Sequence, residues 1–144
     1  MADDEREIGM VLEAMYRLVS GPAGPRDWSG AGAVFHPECR MIRTGRDHDD
    51  RPSVRIMTLD EYASANAKFF DEQGFYETEV GRRIHLFGAI AHAWSAYEIR
   101  LAPKGPAERR GINSVQLCKD GQGRWRILSM FWDNEGDGRP LPSL

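Results

Sequence analysis

Cysteine is scarce in this 144-residue chain: only Cys39 and Cys118 occur, far apart and each inside a run that reads as a strand. That placement fits two buried thiols, not the dense disulfide framework of a small secreted domain. No apolar run approaches the roughly 18 residues that a membrane span needs. The opening Met1-Ala2-Asp3-Asp4-Glu5 is acidic and has neither the basic nor the apolar region of a secretory leader. A cytoplasmic protein without membrane contact is the expectation. Basic charge is not in excess either, since 19 Lys and Arg face 22 Asp and Glu for a formal net charge of -3. Without a basic stripe to follow a phosphate backbone, nucleic acid is not an expected partner. Neither a GxSxG nucleophile elbow nor a GxxxxGK[ST] phosphate loop occurs. The four histidines show no ligand spacing, so no metal and no organic cofactor are expected.

What is present is a mixed-charge chain with 41% hydrophobic residues, enough to bury the core of a single domain spanning 1–144. Ile8, Val11, Leu12, Met15, Leu18 and Val19 recur at three- and four-residue spacings, predicting an amphipathic helix over Asp4 to Ser20. Gly21-Pro22-Ala23-Gly24-Pro25 ends it. Asp27 or Ser29 is placed to cap a short second helix through about Val34, and Pro37 then forces extended chain into a short strand, Cys39 to Thr44. Gly45 to Ser53 is polar and aperiodic and reads as a surface loop. Thr58 with Glu61 matches a capping box, opening a third helix that carries Leu59, Tyr62, Asn66, Phe69 and Phe70 and stops at Gly74. Four β-rich runs follow, Tyr76 to Phe87, Ile90 to Leu101, Arg110 to Lys119 and Trp125 to Asp133, with connections short enough for an antiparallel meander. The expectation is an α+β fold of three helices on one face of a curved antiparallel sheet, with its core over about 8–135 and a tail at 136–144. In the last strand both parities are apolar, which predicts that the outer face is covered in a homodimer.

The order of elements, Phe87-Gly88 before Ala91, and Gly123-x-Trp125-x-Ile127 resemble the NTF2-like (SnoaL-like, ketosteroid isomerase-like) superfamily from about Val11 to Glu135. The resemblance implies a cystatin-like α+β cone around a small-molecule pocket. In the isomerase branch a tyrosine on the first helix holds an oxyanion, and Tyr16 falls on that position. The branch's general base matches Arg43, which cannot accept a proton. Its second, protonated aspartate matches Asn113, whose amide still donates. The same comparison turns Met41, Val115, Leu128, Met130 and Trp132 inward, with Trp28, Tyr62 and Phe69 as further lining. Such a pocket suits a small apolar molecule with a carbonyl or carboxylate head.

Among proton carriers, His85 and His92 flank the Gly88 turn and form a possible cross-strand pair with an acid–base role. Glu98 and Arg100 share a strand face, the arrangement of a solvated ion pair. Asp47, Asp49 and Asp50 lack the spacing of a calcium loop. Tyr16 has an ordinary alternative as a buried ring bonded to a neighbour, and Arg43 one as the partner of Glu38, Glu77 or Glu79. Three functional classes stay open. One is a cofactor-independent isomerase, dehydratase or cyclase using Tyr16, Asn113, Arg43 and a histidine; the second is a domain that binds a small ligand without turnover. The third, resembling nuclear transport factor, is a structural partner-binding domain, which needs an exposed hydrophobic patch beyond the dimer interface.

Overall fold

The computed structural model describes residues 2–136 and 138–144. The first helix, α1 (Ala2–Val19), buries Ile8, Leu12, Met15, Tyr16 and Val19 along one stripe. Asp3, Asp4 and Glu5 in its first turn and Arg17 in its last oppose the helix dipole favourably. Asp4 also reaches the sheet, accepting hydrogen bonds from Lys119 Nζ and Trp125 Nε1, each at 2.9 Å. Those donors hold its carboxyl well below the usual carboxylate range. The other end of α1 is fastened by Arg26, whose guanidinium donates to the carbonyls of Val19, Gly21, Pro22 and Gly24. The same group lies 4.5 Å over the Phe70 ring.

A single six-stranded sheet follows, built from β1 (Phe35–Arg46), β2 (Pro52–Thr58), β3 (Tyr76–Phe87), β4 (Ile90–Arg100), β5 (Arg109–Lys119) and β6 (Trp125–Asn134). The second helix, α2 (Leu59–Glu72), opens with the capping box: Thr58 Oγ1 accepts from Glu61 N at 3.1 Å, and Glu61 Oε1 accepts from Thr58 N at 2.9 Å. Strand order is β2-β1-β6-β5-β4-β3. After β2 the chain crosses through α2 to the far edge and meanders back, so β6 arrives beside β1 running in the same direction. The sheet is therefore curved and mixed, not wholly antiparallel as expected. The core lies between its concave face and the helices, with α1 against β3 and β6 and α2 against β1 and β2. No described helix is long and apolar enough to cross a membrane.

Three further expectations are corrected. In place of a second helix there is one 3-10 turn, Ala31–Ala33. Gly30 and Gly32 disfavour helix there, and the Asp27 side chain is spent on Ser29 N, 2.9 Å away, in a local turn. The loop is shorter than read, because β1 runs to Arg46 and β2 begins at Pro52; β2 is an edge strand entered through proline at its first residue, where a missing N–H is tolerated. Finally, two bulges switch which residues face inward. Val80 is the extra residue in β3 and Leu128 the extra residue in β6. Below the second bulge Trp125 and Ile127 point into the core; above it Met130 and Trp132 do. Leu128, expected to face the cavity, is 40% exposed on the convex side. Cys39 is buried, Cys118 half-buried, and both are free thiols.

Candidate functional site

A cavity of about 280 Å³ opens between α2 and the concave face of the sheet. Its wall is aromatic and apolar: Tyr62, Phe69 and Phe70 from α2, Phe75 from the turn after it, and Met57, Ile99, Met130 and Trp132 from the sheet. Tyr62 is held edge-on between Trp28 and Trp132, with ring centroids 6.2 and 5.8 Å away. Set into this wall are Glu77, Asn113, Asn134, Asn66 and three arginines, Arg43, Arg55 and Arg109.

Glu77 is the group in this set with the most altered chemistry. It faces inward because it precedes the Val80 bulge, on the parity that pairs it with Ile99 of β4. The residue keeps some exposure, but its carboxyl end is enclosed, and burial pushes its pKa up to about 7 against the pull of the Asn113 hydrogen bond and the Arg109 charge. Asn113 Nδ2 donates to Glu77 Oε2 at 3.0 Å and also to Tyr16 Oη at 3.1 Å.

From there a chain of hydrogen bonds runs away from the cavity. Tyr16 Oη lies 2.6 Å from Ser95 Oγ, and Ser95 Oγ donates to Glu79 Oε2 at 2.5 Å. A carboxylate only accepts, so the Ser95 hydrogen is committed to Glu79 and the Tyr16 hydrogen to Ser95. Burial, first among its causes, drives the Tyr16 hydroxyl pKa far above its usual value. Glu79 is closed off by Arg82 at 2.8 Å, which is itself 3.8 Å from Glu13. Tyr16 is thus buried with its donor facing away from the cavity; it lines instead an open groove between α1 and the start of β3.

The other residues singled out from sequence divide cleanly. Arg43, Asn113, Tyr62, Phe69, Met130 and Trp132 line the cavity. Met41 and Val115 face inward but are fully buried in the core beneath it, and Trp28 supports it through Tyr62. His85 and His92 are directly opposite each other, as read, with His92 Nε2 3.1 Å from His85 Nδ1. Both are exposed on the convex side and absent from the cavity wall, so the structure does not bring them to Tyr16 or Arg43. None of the acids weighed as partners for Arg43 pairs with it. Among the described residues no three metal-ligating side chains lie together.

Sequence reasoning undervalued Glu77 and missed Arg55, Arg109 and Asn134. Tyr76-Glu77-Thr78-Glu79 has no apolar residue on the Glu77 parity, so it reads as a solvated face. The available signal lay in the partner strand, where Ile99 and Tyr97, opposite Glu77 and Glu79, are both apolar.

No protein-family model matches this chain, and no curated protein matches it in sequence. Solved structures do match in fold. A candidate ketosteroid isomerase from Shewanella frigidimarina superposes with a TM-score of 0.58 at 17% identity, covering 88% of this chain and 94% of that one. The CaMKII hub of S. rosetta gives a TM-score of 0.60 at 14% identity over 90% and 95% of the two chains. The Kfla4162 protein of Kribbella flavida gives 0.67 at 13% identity over 94% and 93%. With the helix-covered, curved six-stranded sheet, these likenesses show that the chain has the NTF2-like fold.

Proposed function

We propose that this protein performs acid–base chemistry on a small, largely apolar molecule with a carbonyl or carboxylate head, in the manner of a cofactor-independent isomerase, dehydratase or cyclase. The observation that carries this reading is Glu77: a carboxyl inside a cavity, with its pKa raised to about 7, titrates where a general base must alternate between its two forms. In the reaction, the Glu77 carboxylate takes a proton from a carbon beside the carbonyl. The electron pair moves onto the carbonyl oxygen as an enolate, whose charge the cavity arginines offset. Glu77 then returns the proton, either to another carbon or to a departing hydroxyl.

In this mechanism Asn113 orients Glu77, and Tyr16 orients Asn113 by accepting its second N–H. Tyr16 becomes a positioning residue in place of an oxyanion donor. His85 and His92 have no part in it. A non-catalytic binding domain is the second reading, favoured by the committed Tyr16 hydroxyl, which leaves the cavity without the tyrosine donor of the isomerase branch. We further propose that the protein is a homodimer. Its convex face carries a row from Ile56 through Ile42, Phe131 and Ser114 to Trp94, in which Ile56 is 64% exposed and Phe131 and Trp94 are each 44% exposed. Such a band is normally covered by a partner.

The test is solvent-deuterium exchange into a panel of small aromatic and alicyclic ketones and acids, followed by NMR, with Glu77→Gln alongside. Glu77-dependent exchange with an apparent pKa near 7 is expected. Ligand-induced thermal stabilisation that persists in both proteins, with no exchange in either, would leave the binding reading standing alone.

A further inference from the structure

Arg43 and Arg55 are direct cross-strand partners on β1 and β2. Side chains so placed leave the sheet about 5 Å apart, and like charges there destabilise the pairing. Both belong to the inward parity: in β1, Arg43 follows Cys39 and Met41, which are 2% and 0% exposed, and in β2, Arg55 precedes Met57, which is 3% exposed. Among the described residues neither guanidinium has an ion pair or a hydrogen bond. Of the other inward arginines, Arg109 lines the same cavity, whereas Arg82, outside its wall, lies against Glu79 and Glu13. Two cations, exposed and without an ion pair among the described residues, have therefore been set side by side at the lip of a hollow, with the aromatic part of its wall beside them: Trp132 next to Arg43 in the register, and Tyr62 on the facing helix.

We propose that Arg43 and Arg55 form an anion-binding fork at the mouth of the cavity, and that the molecule bound is an apolar organic acid with its ionised carboxylate on the fork and its hydrocarbon body against Tyr62, Phe69 and Trp132. A guanidinium presents parallel N–H donors that match the two oxygens of a carboxylate. A bound carboxylate also removes the Arg43–Arg55 repulsion, so binding should favour the anion over its isosteric amide. The proposal rests on the reading of this cavity as the functional site and deepens it by fixing the head group as charged.

The test is titration calorimetry at low salt with phenylacetate and cyclohexanecarboxylate, each against its primary amide, and with inorganic phosphate. The carboxylates are expected to bind at least tenfold more tightly than the amides. Arg43→Gln and Arg55→Gln should each lose about tenfold of that preference, affinity should fall as salt rises, and Arg83→Gln, on the convex side, should change nothing. Equal binding of acid and amide, no binding of any carboxylate, or affinity untouched by both arginine variants would overturn the fork. Inorganic phosphate binding as tightly as the organic acids would also overturn it, because the aromatic wall would then contribute nothing. The two proposals fail separately. Glu77-dependent exchange on neutral ketones without carboxylate binding sinks only the fork, whereas Arg43-dependent carboxylate binding without exchange sinks only the acid–base role.

Discussion

The two charged regions of the concave face are built on opposite principles. Along the α1 side, Asn113, Tyr16, Ser95, Glu79 and Arg82 form an unbroken run of hydrogen bonds in which the side-chain hydrogens of Asn113, Tyr16 and Ser95 each have a protein acceptor. Across the sheet, Arg43 and Arg55 stand beside each other with no ion pair or hydrogen bond among the described residues, Arg55 meeting only the longer-range charge of Glu61, and Arg109 faces the cavity, likewise without an ion pair among them. Saturation on one side fixes geometry, since a satisfied buried network leaves its members one arrangement. Open valence on the other side is available to a ligand. Glu77 sits where the two meet, held by Asn113 from the saturated side and influenced by Arg109 from the open one. A carboxyl positioned rigidly but left with free lone pairs is what proton transfer requires.

Breaking the saturated run should have the largest effect. Ser95 is fully buried, and Ser95→Ala would strand the Tyr16 donor and one Glu79 oxygen together. We expect a loss of about 2–3 kcal/mol and a fall in Tm of roughly 4–12 °C, measured by urea and thermal unfolding. Tyr16→Phe keeps the ring but removes both the donor to Ser95 and the acceptor of one Asn113 N–H, so its cost should be about 1–2 kcal/mol. If Ser95→Ala unfolds like the parent, the run is decoration and Asn113 is not held by it.

The next effect concerns pH. Glu77 has a folded-state pKa of about 7 against an ordinary value of 4.5. Between those values the folded protein keeps a proton that the unfolded chain has released, so this residue lowers stability as pH rises from 4.5 through 7, and its cost is complete above that. Glu77→Gln should therefore be more stable than the parent at pH 8, by about 2 kcal/mol once solvent access at the cavity mouth is discounted. The gap should close by about pH 4.5. Parallel denaturation curves at both pH values check this, and a gap of the same size at each would remove the titrating carboxyl from the account.

The convex face offers a contrast of its own, an exposed apolar band of Ile56, Phe131 and Trp94. Phe131→Glu should shift the molecular mass seen by light scattering from dimer to monomer, with the monomer losing no more than about 1 kcal/mol because Phe131 is already half exposed.

How much of this was legible in the chain depended on whether the information was local. The α1 stripe, the Thr58–Glu61 capping box and the β3–β4 and β5–β6 hairpins are written in residues a few positions apart, and the structure carries all of them. The strand β2 was missed because its exposed Val54 and Ile56 lie on the convex side while its inward set is Ser53, Arg55 and Met57, the reverse of the usual polar-out pattern. Bulges escape for a related reason. Nothing within β6 says that Leu128 is the surplus residue; the curvature of the sheet decides it, and one such shift moves a side chain to the other face. Asn113 and Arg43 were placed correctly because no bulge lies between them and the residues that set their parity.

The arginine pair supplies the smallest effect and the finest discrimination. If Arg43 and Arg55 served the fold, replacing either would cost stability. If they serve a ligand, the unliganded protein gains from the change, since Arg55→Gln ends a like-charge contact between cross-strand neighbours and deletes no hydrogen bond. The expected change is a stabilisation of about 0.2–0.5 kcal/mol at low ionic strength, shrinking as salt screens the repulsion. Chemical denaturation at two salt concentrations measures it. A loss of stability that salt does not alter would make the pair structural and would move the open valence of this cavity to Arg109 alone.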